Sequence, residues 1–187
     1  MRKKDMAPYP ALFPNPAVLV SCGPMDAPNI ITIAWTSTVC REPPMVGIAV
    51  TPTRQSYDLL VESKDFVINI PTCDQAEIVD LCGNVSGKEH DKFKLCGLTP
   101  EPATKVNSPR IKECPISIEC YISQIIHLGS HDLFIGDIAT VAVDPKLLSD
   151  GNGIDIQKMK TLVYAQGYYF SLGELIGKYG YSQKKDR

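Results

Sequence analysis

The chain of 187 residues has no excess of charge of one sign and no long apolar run. Its 19 basic and 21 acidic residues give a net charge of -2, which offers no electrostatic basis for binding a polyanion. The basic start, Arg2 to Lys4, leads into Asp5 and several prolines in place of an apolar signal segment. No apolar run approaches the roughly 18 residues of a membrane span. We therefore expect a cytoplasmic protein that binds neither nucleic acid nor membrane.

The seven cysteines include no C-x-x-C pair, the usual signature of zinc ribbons, iron–sulfur clusters and thioredoxin-like sites. An odd number of cysteines without a secretion signal predicts free thiols that pack as small apolar side chains. Of the three histidines, His127 and His131 have the spacing of a helical metal site, but Gly129 between them indicates a turn. The sequence therefore predicts no metal site.

The composition, with 44% hydrophobic and 21% charged residues, is that of an ordinary globular protein, and the length suits one domain over residues 1–187. Short runs rich in Val, Ile and Thr between turn residues predict β-strands. These strands are expected at 17–22, 30–38, 45–50, 66–70, 115–126, 132–143 and 162–170. Because strands do not alternate with helices, we predict a mainly β fold that closes into a small antiparallel barrel.

Two short helices are expected between these strands. One covers residues 56–61, and the other covers residues 73–82. A capping box precedes the second helix, since Gln75 follows Thr72 by three positions. Gly83 is the expected end of that helix.

Three polar segments are candidate binding sites, and each has a plainer alternative. Segment 29–38 places hydroxyls around Trp35, the single tryptophan, but would also suit a solvated edge strand. Segment 51–56 places Arg54 and hydroxyls before a helix whose free N–H groups favour a phosphate, although Arg54 could equally be solvated. Segment 86–93 combines five ionisable residues with a glycine and a phenylalanine, a composition that is also typical of a solvated loop.

Taken together, five motifs in this order resemble the flavin-reductase-like FMN-binding family, and within it the flavoredoxins of anaerobic prokaryotes. They are N-x-x-T-x-A-W-T-S from Asn29, T-P-x-R-x-S from Thr51, S-G-x-x-x-D-K-F from Ser86, H-x-L-F-x-G-x-I from His131 and I-G-K-Y-G-Y from Ile176. The resemblance spans residues 8–180. It implies a split β-barrel with Greek-key connections and a few short helices. It also implies a homodimer that binds FMN near the subunit interface.

The resemblance further implies which residues bind FMN. The isoalloxazine and ribityl groups would contact Asn29, Trp35, Thr36, Ser37 and Thr38. The phosphate would be held by Arg54 and Ser56, and the pocket would be completed by Thr32, Thr51, Lys92, His131 and Tyr164. Lys92 would contact either the phosphate or the negative charge of a reduced flavin ring, and the sequence leaves both open.

Two functions from different classes remain open at this point. In the first, NADH or NADPH reduces FMN, which makes the protein an NAD(P)H:flavin oxidoreductase; no side chain is then needed as general acid or base. In the second, the protein is a non-enzymatic carrier that keeps its FMN and exchanges electrons with redox proteins. A flavin-binding protein with neither role is a third possibility. The resemblance favours the reductase slightly.

Overall fold

The computed structural model describes residues 2–149 and 153–184. Its strands are β1 (Asn15–Pro16), β2 (Val18–Cys22), β3 (Asn29–Ile33), β4 (Thr36–Cys40), β5 (Met45–Val50), β6 (Asp65–Ile70), β7 (Pro100–Glu101), β8 (Arg110–Ile111), β9 (Ile116–His127), β10 (Asp132–Val143), β11 (Leu162–Ala165) and β12 (Tyr168–Ser171). Its α-helices are α1 (Gln55–Ser63), α2 (Ala76–Asn84) and α3 (Lys92–Leu95), and 3-10 turns lie at Cys73–Gln75, Pro145–Leu147 and Tyr181–Lys184. The predicted mainly β fold is confirmed. Of the domain predicted over 1–187, residue 1 and residues 150–152 and 185–187 lie outside the described residues.

Seven strands form one antiparallel sheet in the order β3-β2-β6-β9-β10-β5-β4. β5 and β6 are consecutive strands, but the long β9–β10 hairpin lies between them, which is a connection of the Greek-key type. β3 and β4 lie at opposite ends of the order, although Ala34 and Trp35 alone separate them. Because two residues span at most about 7 Å, the two edges of the sheet must lie close together. The result is a split barrel whose hydrogen-bonded ladder does not close between β3 and β4 in the part of the chain that the structure describes.

The single strand predicted at 30–38 is therefore wrong, since it is two strands with different partners. β3 pairs with β2 and β4 pairs with β5, and the chain leaves one ladder and joins the other at Trp35, whose carbonyl accepts a hydrogen bond from the Ala49 amide at 2.9 Å. Local alternation of polar and apolar residues carries no information on this exchange of partners.

The strand predicted at 162–170 is also two strands, β11 and β12, joined by a tight turn. Gln166 and Gly167 form this turn with φ values of 49° and 89°, as a two-residue hairpin of type I′ requires. Gly83 does not end the second helix either, because α2 continues to Asn84. The other predicted strands are confirmed within two residues at each end.

Strands β2 and β6 are buried on both faces, and two apolar clusters lie on opposite sides of the sheet there. In β2, Val18 and Val20 pack into a cluster with Phe66 and Phe134, whereas Leu19 packs into a second cluster under α2 and α3. Successive side chains of a strand point to opposite faces, so every residue of β2 is buried. Burial of this kind stabilises by roughly 25 cal/mol per Å² of apolar surface.

Both predicted helices form next to this sheet. α1 occupies Gln55–Ser63, and the backbone amide of Thr72 donates to Gln75 Oε1 at 2.9 Å, so the capping box before the second helix is confirmed. None of the described helices combines the length and the apolar character that crossing a bilayer requires. The short loop before α1 and the end of α2 approach the same edge of the sheet, β3, and this junction forms the site described next.

Candidate functional site

A cleft of about 390 Å³ opens where β3, the crossing at Trp35 and the start of α1 face the β11–β12 hairpin. Its lining includes Ile31, Thr32, Trp35, Thr51, Arg54, Asn84, His131, Tyr164 and Tyr169. A second cavity of about 130 Å³ lies next to it, since Ile31, Arg54 and Gly83 line both. The lining of the smaller cavity, which we call the cradle, is polar and includes Asn29, Gln55, Ser56, Ser86, Gly87 and Lys92.

The cradle lies at the N-terminus of α1. Arg54 is the N-cap residue in an extended conformation, and no side chain caps the helix by a hydrogen bond. The first amides of a helix have no partner inside the helix and carry a partial positive charge. The side chain of Asn29 donates to Ser56 Oγ at 2.9 Å and thereby fixes that hydroxyl at the first turn. These groups make the floor of the cradle electropositive.

Lys92 adds a buried charge to the cradle. The side chain is at the start of α3, the residue is 5% exposed, and Nζ donates to the carbonyl oxygen of Cys82 at 2.7 Å. Burial lowers the pKa of Lys92, and the nearby charge of Arg54 lowers this pKa further. Within residues 2–149 and 153–184, neither cation forms an ion pair with a carboxylate. Burying Lys92 without a counter-charge is costly, and Arg54, which is exposed, adds a second positive charge at the same cavity, so the cradle fits an anion.

Two further details of the cradle support a ligand-binding role. Gln55 Oε1 is buried without a hydrogen-bond donor among the described residues, which is unusual for a buried polar atom. At Gly87, a Cβ atom would collide with the side-chain oxygens of Gln55 and Asn29, so the absence of a side chain keeps the cradle open.

The opposite end of the cleft is aromatic. Trp35 is 44% exposed, and its ring lies 4.7 Å from that of His131 with an angle of 44° between the planes. His131 is held on both sides, since Nε2 lies 3.0 Å from Thr51 Oγ1 and Nδ1 lies 3.0 Å from Ser130 Oγ. An aromatic wall with fixed polar groups is suited to a planar, partly polar ring.

A tyrosine pair from the β11–β12 hairpin forms another wall of the cleft. The rings of Tyr164 and Tyr169 lie 5.6 Å apart in an edge-on arrangement. Tyr169 donates its hydroxyl to Asp80 Oδ1 at 3.2 Å. Burial and the neighbouring Asp80 raise the pKa of Tyr169 to about 12, so its phenol stays neutral and remains a hydrogen-bond donor.

The structure brings together nine of the twelve residues predicted to bind the cofactor. The cleft is lined by Thr32, Trp35, Thr51, Arg54, His131 and Tyr164, and the cradle by Asn29, Arg54, Ser56 and Lys92. Thr36, Ser37 and Thr38 lie on β4, at the edge of the sheet, and line neither cavity. Their contact with a cofactor stays a prediction.

Sequence reasoning missed several residues of the site. Ser86 and Gly87 begin the motif S-G-x-x-x-D-K-F, and that motif is the sequence signal for them. Gln55 occupies a variable position of T-P-x-R-x-S, and its burial depends on the tertiary fold. Tyr169 could have been found from the turn at Gly167, which places it opposite Tyr164 across the hairpin.

Residues 11–173 match the family model of the flavin reductase like domain. The chain belongs to this flavin reductase family. Its fold agrees with that of solved members and relatives. The flavoredoxin of Desulfovibrio vulgaris (Miyazaki F) is 32% identical and superposes with a TM-score of 0.91 over 98% of this chain and 100% of that one.

Two further solved structures are similar to this member of the flavin reductase family. A flavoredoxin from Methanosarcina acetivorans is 26% identical with a TM-score of 0.84, covering 97% of this chain and 100% of that one. An FMN-binding protein from Thermus thermophilus is 22% identical with a TM-score of 0.79, covering 95% and 99%. Family and fold together support a flavin-related redox function and a flavin cofactor.

The residues present fit a flavin nucleotide. Such a molecule joins a flat ring system to a phosphate, and the site joins an aromatic cleft to an electropositive cradle. The cradle supplies Arg54, Lys92 and the free amides of α1 to an anion, in the way that helix N-termini bind phosphates. The unpartnered Gln55 Oε1 is an acceptor, so it leaves room for a hydroxyl donor of the ligand and not for its phosphate oxygens.

Proposed function

We propose that this family member binds FMN without a covalent bond and that residues 1–187 form one FMN-binding domain. The observation that carries the proposal is the pair of cations in the cradle, Arg54 and Lys92, which converge without a carboxylate at the N-terminus of α1. A terminal phosphate with close to two negative charges would balance both. FMN and riboflavin differ in that phosphate, which makes their comparison the test.

Binding and orientation are the tasks of this chain's residues. Arg54 would form charge-assisted hydrogen bonds to the phosphate, and Ser56, oriented by Asn29, would add a neutral one. The position of Lys92 beside Ser56 and Ser86 favours a contact with the phosphate over one with the ring. Trp35 and His131 would contact the ring from the cleft wall, with Thr51 fixing the orientation of His131.

We propose that the function is NAD(P)H-dependent flavin reduction. The flavin ring, when bound, would supply the hydride-accepting chemistry. The protein's part is to hold the ring and keep one face accessible, and the half-exposed Trp35 marks an open side of the cleft. The neutral phenol of Tyr169 donates to Asp80, which orients this wall of the cleft. Hydride transfer to a flavin would need no general acid or base from these residues.

A second candidate function is electron transfer without catalysis. The similarity to the flavoredoxin of Desulfovibrio vulgaris (Miyazaki F), at 32% identity over nearly the whole chain, favours it. A carrier would keep its FMN and exchange electrons with a redox protein through the exposed end of the cleft.

Anaerobic bleaching of the flavin distinguishes the two functions. The purified yellow protein is mixed with NADH, with NADPH and with a reduced ferredoxin, and absorbance near the flavin band is followed. Fast bleaching by a nicotinamide is expected for the reductase. Bleaching by the ferredoxin and by neither nicotinamide would replace the reductase with the carrier.

The cofactor itself is tested by mass analysis of what the protein releases on denaturation. We expect FMN, because the cradle offers a place for one terminal phosphate. Predominantly FAD, or no flavin uptake by the apoprotein, would contradict the proposal.

We also propose a homodimer. The segment after β12 is largely exposed and apolar, with Leu172 at 54%, Leu175 at 58% and Ile176 at 91% exposure. It borders a groove of about 910 Å³ that also includes Ile156 and Met159. Apolar surface of this extent in an otherwise ordinary protein is suited to a second copy. Light scattering at micromolar concentration should give twice the chain mass, and a monomer that retains FMN would contradict the dimer.

A further inference from the structure

Two cysteines lie in contact immediately behind the cradle. Cys82 is on α2 and Cys96 follows the last residue of α3, and their sulfur atoms are 3.3 Å apart. A disulfide requires a separation of about 2.05 Å, so a movement of roughly 1.3 Å would bring the sulfurs within bonding distance. We propose that Cys82 and Cys96 form a reversible disulfide that closes the loop carrying the cradle.

The proposed reaction involves two thiols, those of Cys82 and Cys96. Cys73 and Cys114 pack in the same apolar cluster, but the Cys73 thiol donates to the carbonyl of Thr161 at 3.4 Å. In the described ranges, no group of three or more His, Cys, Asp or Glu side chains could hold a metal ion. Cys114 lies near enough to Cys82 to raise its pKa slightly, but the sulfur recorded in contact with that of Cys82 is the Cys96 sulfur.

The pair is connected to the cradle in two ways. The first is direct, because Lys92 Nζ donates to the carbonyl oxygen of Cys82 at 2.7 Å. The second is through the chain, since residues 83–95 lie between the two cysteines and include Ser86 and Gly87 as well as Lys92. A bond between the sulfurs would thus fix both ends of the segment that carries these groups.

A hydroperoxide is the oxidant that this geometry suits. Cys96 is half-buried while Cys82 is fully buried, so the oxidant reaches Cys96 first. Burial also raises the pKa of Cys82 to about 12, which keeps it protonated at neutral pH. The Cys96 sulfur attacks one peroxide oxygen and becomes a sulfenic acid, with release of one water from hydrogen peroxide. The Cys82 sulfur then displaces the hydroxyl, and a second water leaves.

The reaction balances as two thiols and one hydrogen peroxide giving one disulfide and two waters. Both sulfurs lose one electron each, and the two peroxide oxygens are reduced. A small dithiol would return the pair to the reduced state. The short distance replaces the intrinsic reactivity that Cys82 lacks, because held partners react as if at high concentration.

The consequence for the cradle rests on the proposed function. Closing residues 83–95 restricts the motion of Lys92 and of the loop at Gly87 before a ligand arrives, so less ordering remains to be done on binding. We expect the oxidised protein to bind FMN more tightly than the reduced protein by on the order of tenfold, equivalent to one immobilised long side chain.

The first experiment tests the disulfide and needs no flavin. Reduced protein is treated with one equivalent of hydrogen peroxide, alkylated and digested with trypsin. Cys96 then lies in fragment 95–105, and Cys82 lies in fragment 65–88 together with Cys73. We expect these fragments linked through Cys82, loss of two of the seven thiols, and recovery of both with dithiothreitol. A link through Cys73 or Cys114, or Cys96 oxidised without any link, would overturn the proposal.

Matched variants complete the test. Cys96→Ser should show no linked fragment, whereas Cys40→Ser, a half-buried thiol on the edge strand β4, should still form it. FMN titration of each protein before and after peroxide then measures the effect on the cradle. Equal FMN affinities in oxidised and reduced wild type would overturn the proposed effect of the disulfide on binding in the cradle. Failure of FMN to bind either form would contradict the proposed function and leave the disulfide result standing.

Discussion

Two loops of this molecule bury charge in different ways. Glu119 of β9 faces the loop of residues 102–110, is fully buried and accepts hydrogen bonds from the amides of Thr104 and Lys105 at 3.0 and 2.6 Å. Arg110 donates Nε to the same carboxylate at 2.6 Å and completes an ion pair with it. Asp65 holds the end of this loop through the amide and hydroxyl of Ser108 at 3.1 and 2.6 Å.

The loop of residues 83–92 has the same kind of buried charge without a partner. Lys92 is as inaccessible as a core residue, yet it donates to a neutral carbonyl, and Arg54 faces the same cavity without a carboxylate in the described structure. Gln55 Oε1 has no donor there.

Burying a charge is costly in both loops, so the difference lies in where the compensation comes from. The carboxylates of Glu119 and Asp65 are compensated by the 102–110 loop of the chain itself, which makes them structural. The positive charges of Lys92 and Arg54 have no such compensation from the described chain, and the proposed phosphate would supply it. Each of the following predictions tests one side of this contrast.

The largest effect is expected from Glu119→Gln. The amide would leave Arg110 without a counter-charge and place an N–H group against the backbone donors of the loop. Removing one partner of a buried ion pair costs about 3–5 kcal/mol of the free energy of unfolding. Urea denaturation measures this loss. Glu113→Gln is the matched control, since Glu113 accepts from the Thr99 amide but is exposed, and it should cost less than about 1 kcal/mol. Similar losses of the free energy of unfolding in both variants would contradict a structural role for the buried charge of Glu119.

The next effect is on ligand binding. Arg54→Ala should weaken FMN binding by about 1.5–3 kcal/mol, the range for a hydrogen bond to a charged group. The free energy of unfolding of the apoprotein should stay within about 0.5 kcal/mol, because Arg54 is exposed and has no carboxylate partner among the described residues. Titrations with FMN and with riboflavin are compared. An equal loss for both ligands would mean that Arg54 acts on the ring or on folding, and the phosphate assignment would have to be abandoned.

The sequence predicts some strands of this fold and misses other features. The strands at 45–50 and 132–143 were correct because alternation and flanking turn residues are local properties. The break at Trp35 was not predictable, since β3 and β4 leave each other for partners far along the chain. The turn at Gln166 was missed because Gln-Gly is a less typical type I′ pair than Asn-Gly.

The candidate site divides in the same way. Arg54, Ser56 and Lys92 could be named because they belong to motifs, and the fold does bring them to one cavity. The burial of Lys92 and the unpartnered oxygen of Gln55 are tertiary facts, since they depend on how α2 and α3 pack. The sequence therefore identified the residue types of the site, but not the missing counter-charge that indicates a ligand.

A smaller effect of opposite sign is expected from Lys92→Met. Methionine has a similar length and fills the site without a charge, which removes the cost of burying an ammonium group but also one hydrogen bond of about 1 kcal/mol. We expect the apoprotein to gain about 1 kcal/mol of stability while FMN binding weakens. Lys94→Met is the control, because Lys94 is exposed and pairs with Asp91 at 3.0 Å, and it should change neither quantity. A large loss of stability in Lys92→Met would place this lysine with the structural charges.

The smallest effect is the pH dependence that Lys92 gives to the stability of the apoprotein and to its affinity for FMN. Its pKa in the folded apoprotein is lowered, first by burial, below the value of about 10.4 in an unfolded chain. Between these two values the unfolded state binds more protons, so the stability of the apoprotein should rise with pH. A bound phosphate favours the charged ammonium, so FMN affinity should fall over the same range, by at most about tenfold per pH unit. Riboflavin shares the ring and its own titration, and its affinity is measured in parallel to correct for that. The decline specific to FMN should vanish in Lys92→Met, and its persistence there would assign the titration to another group.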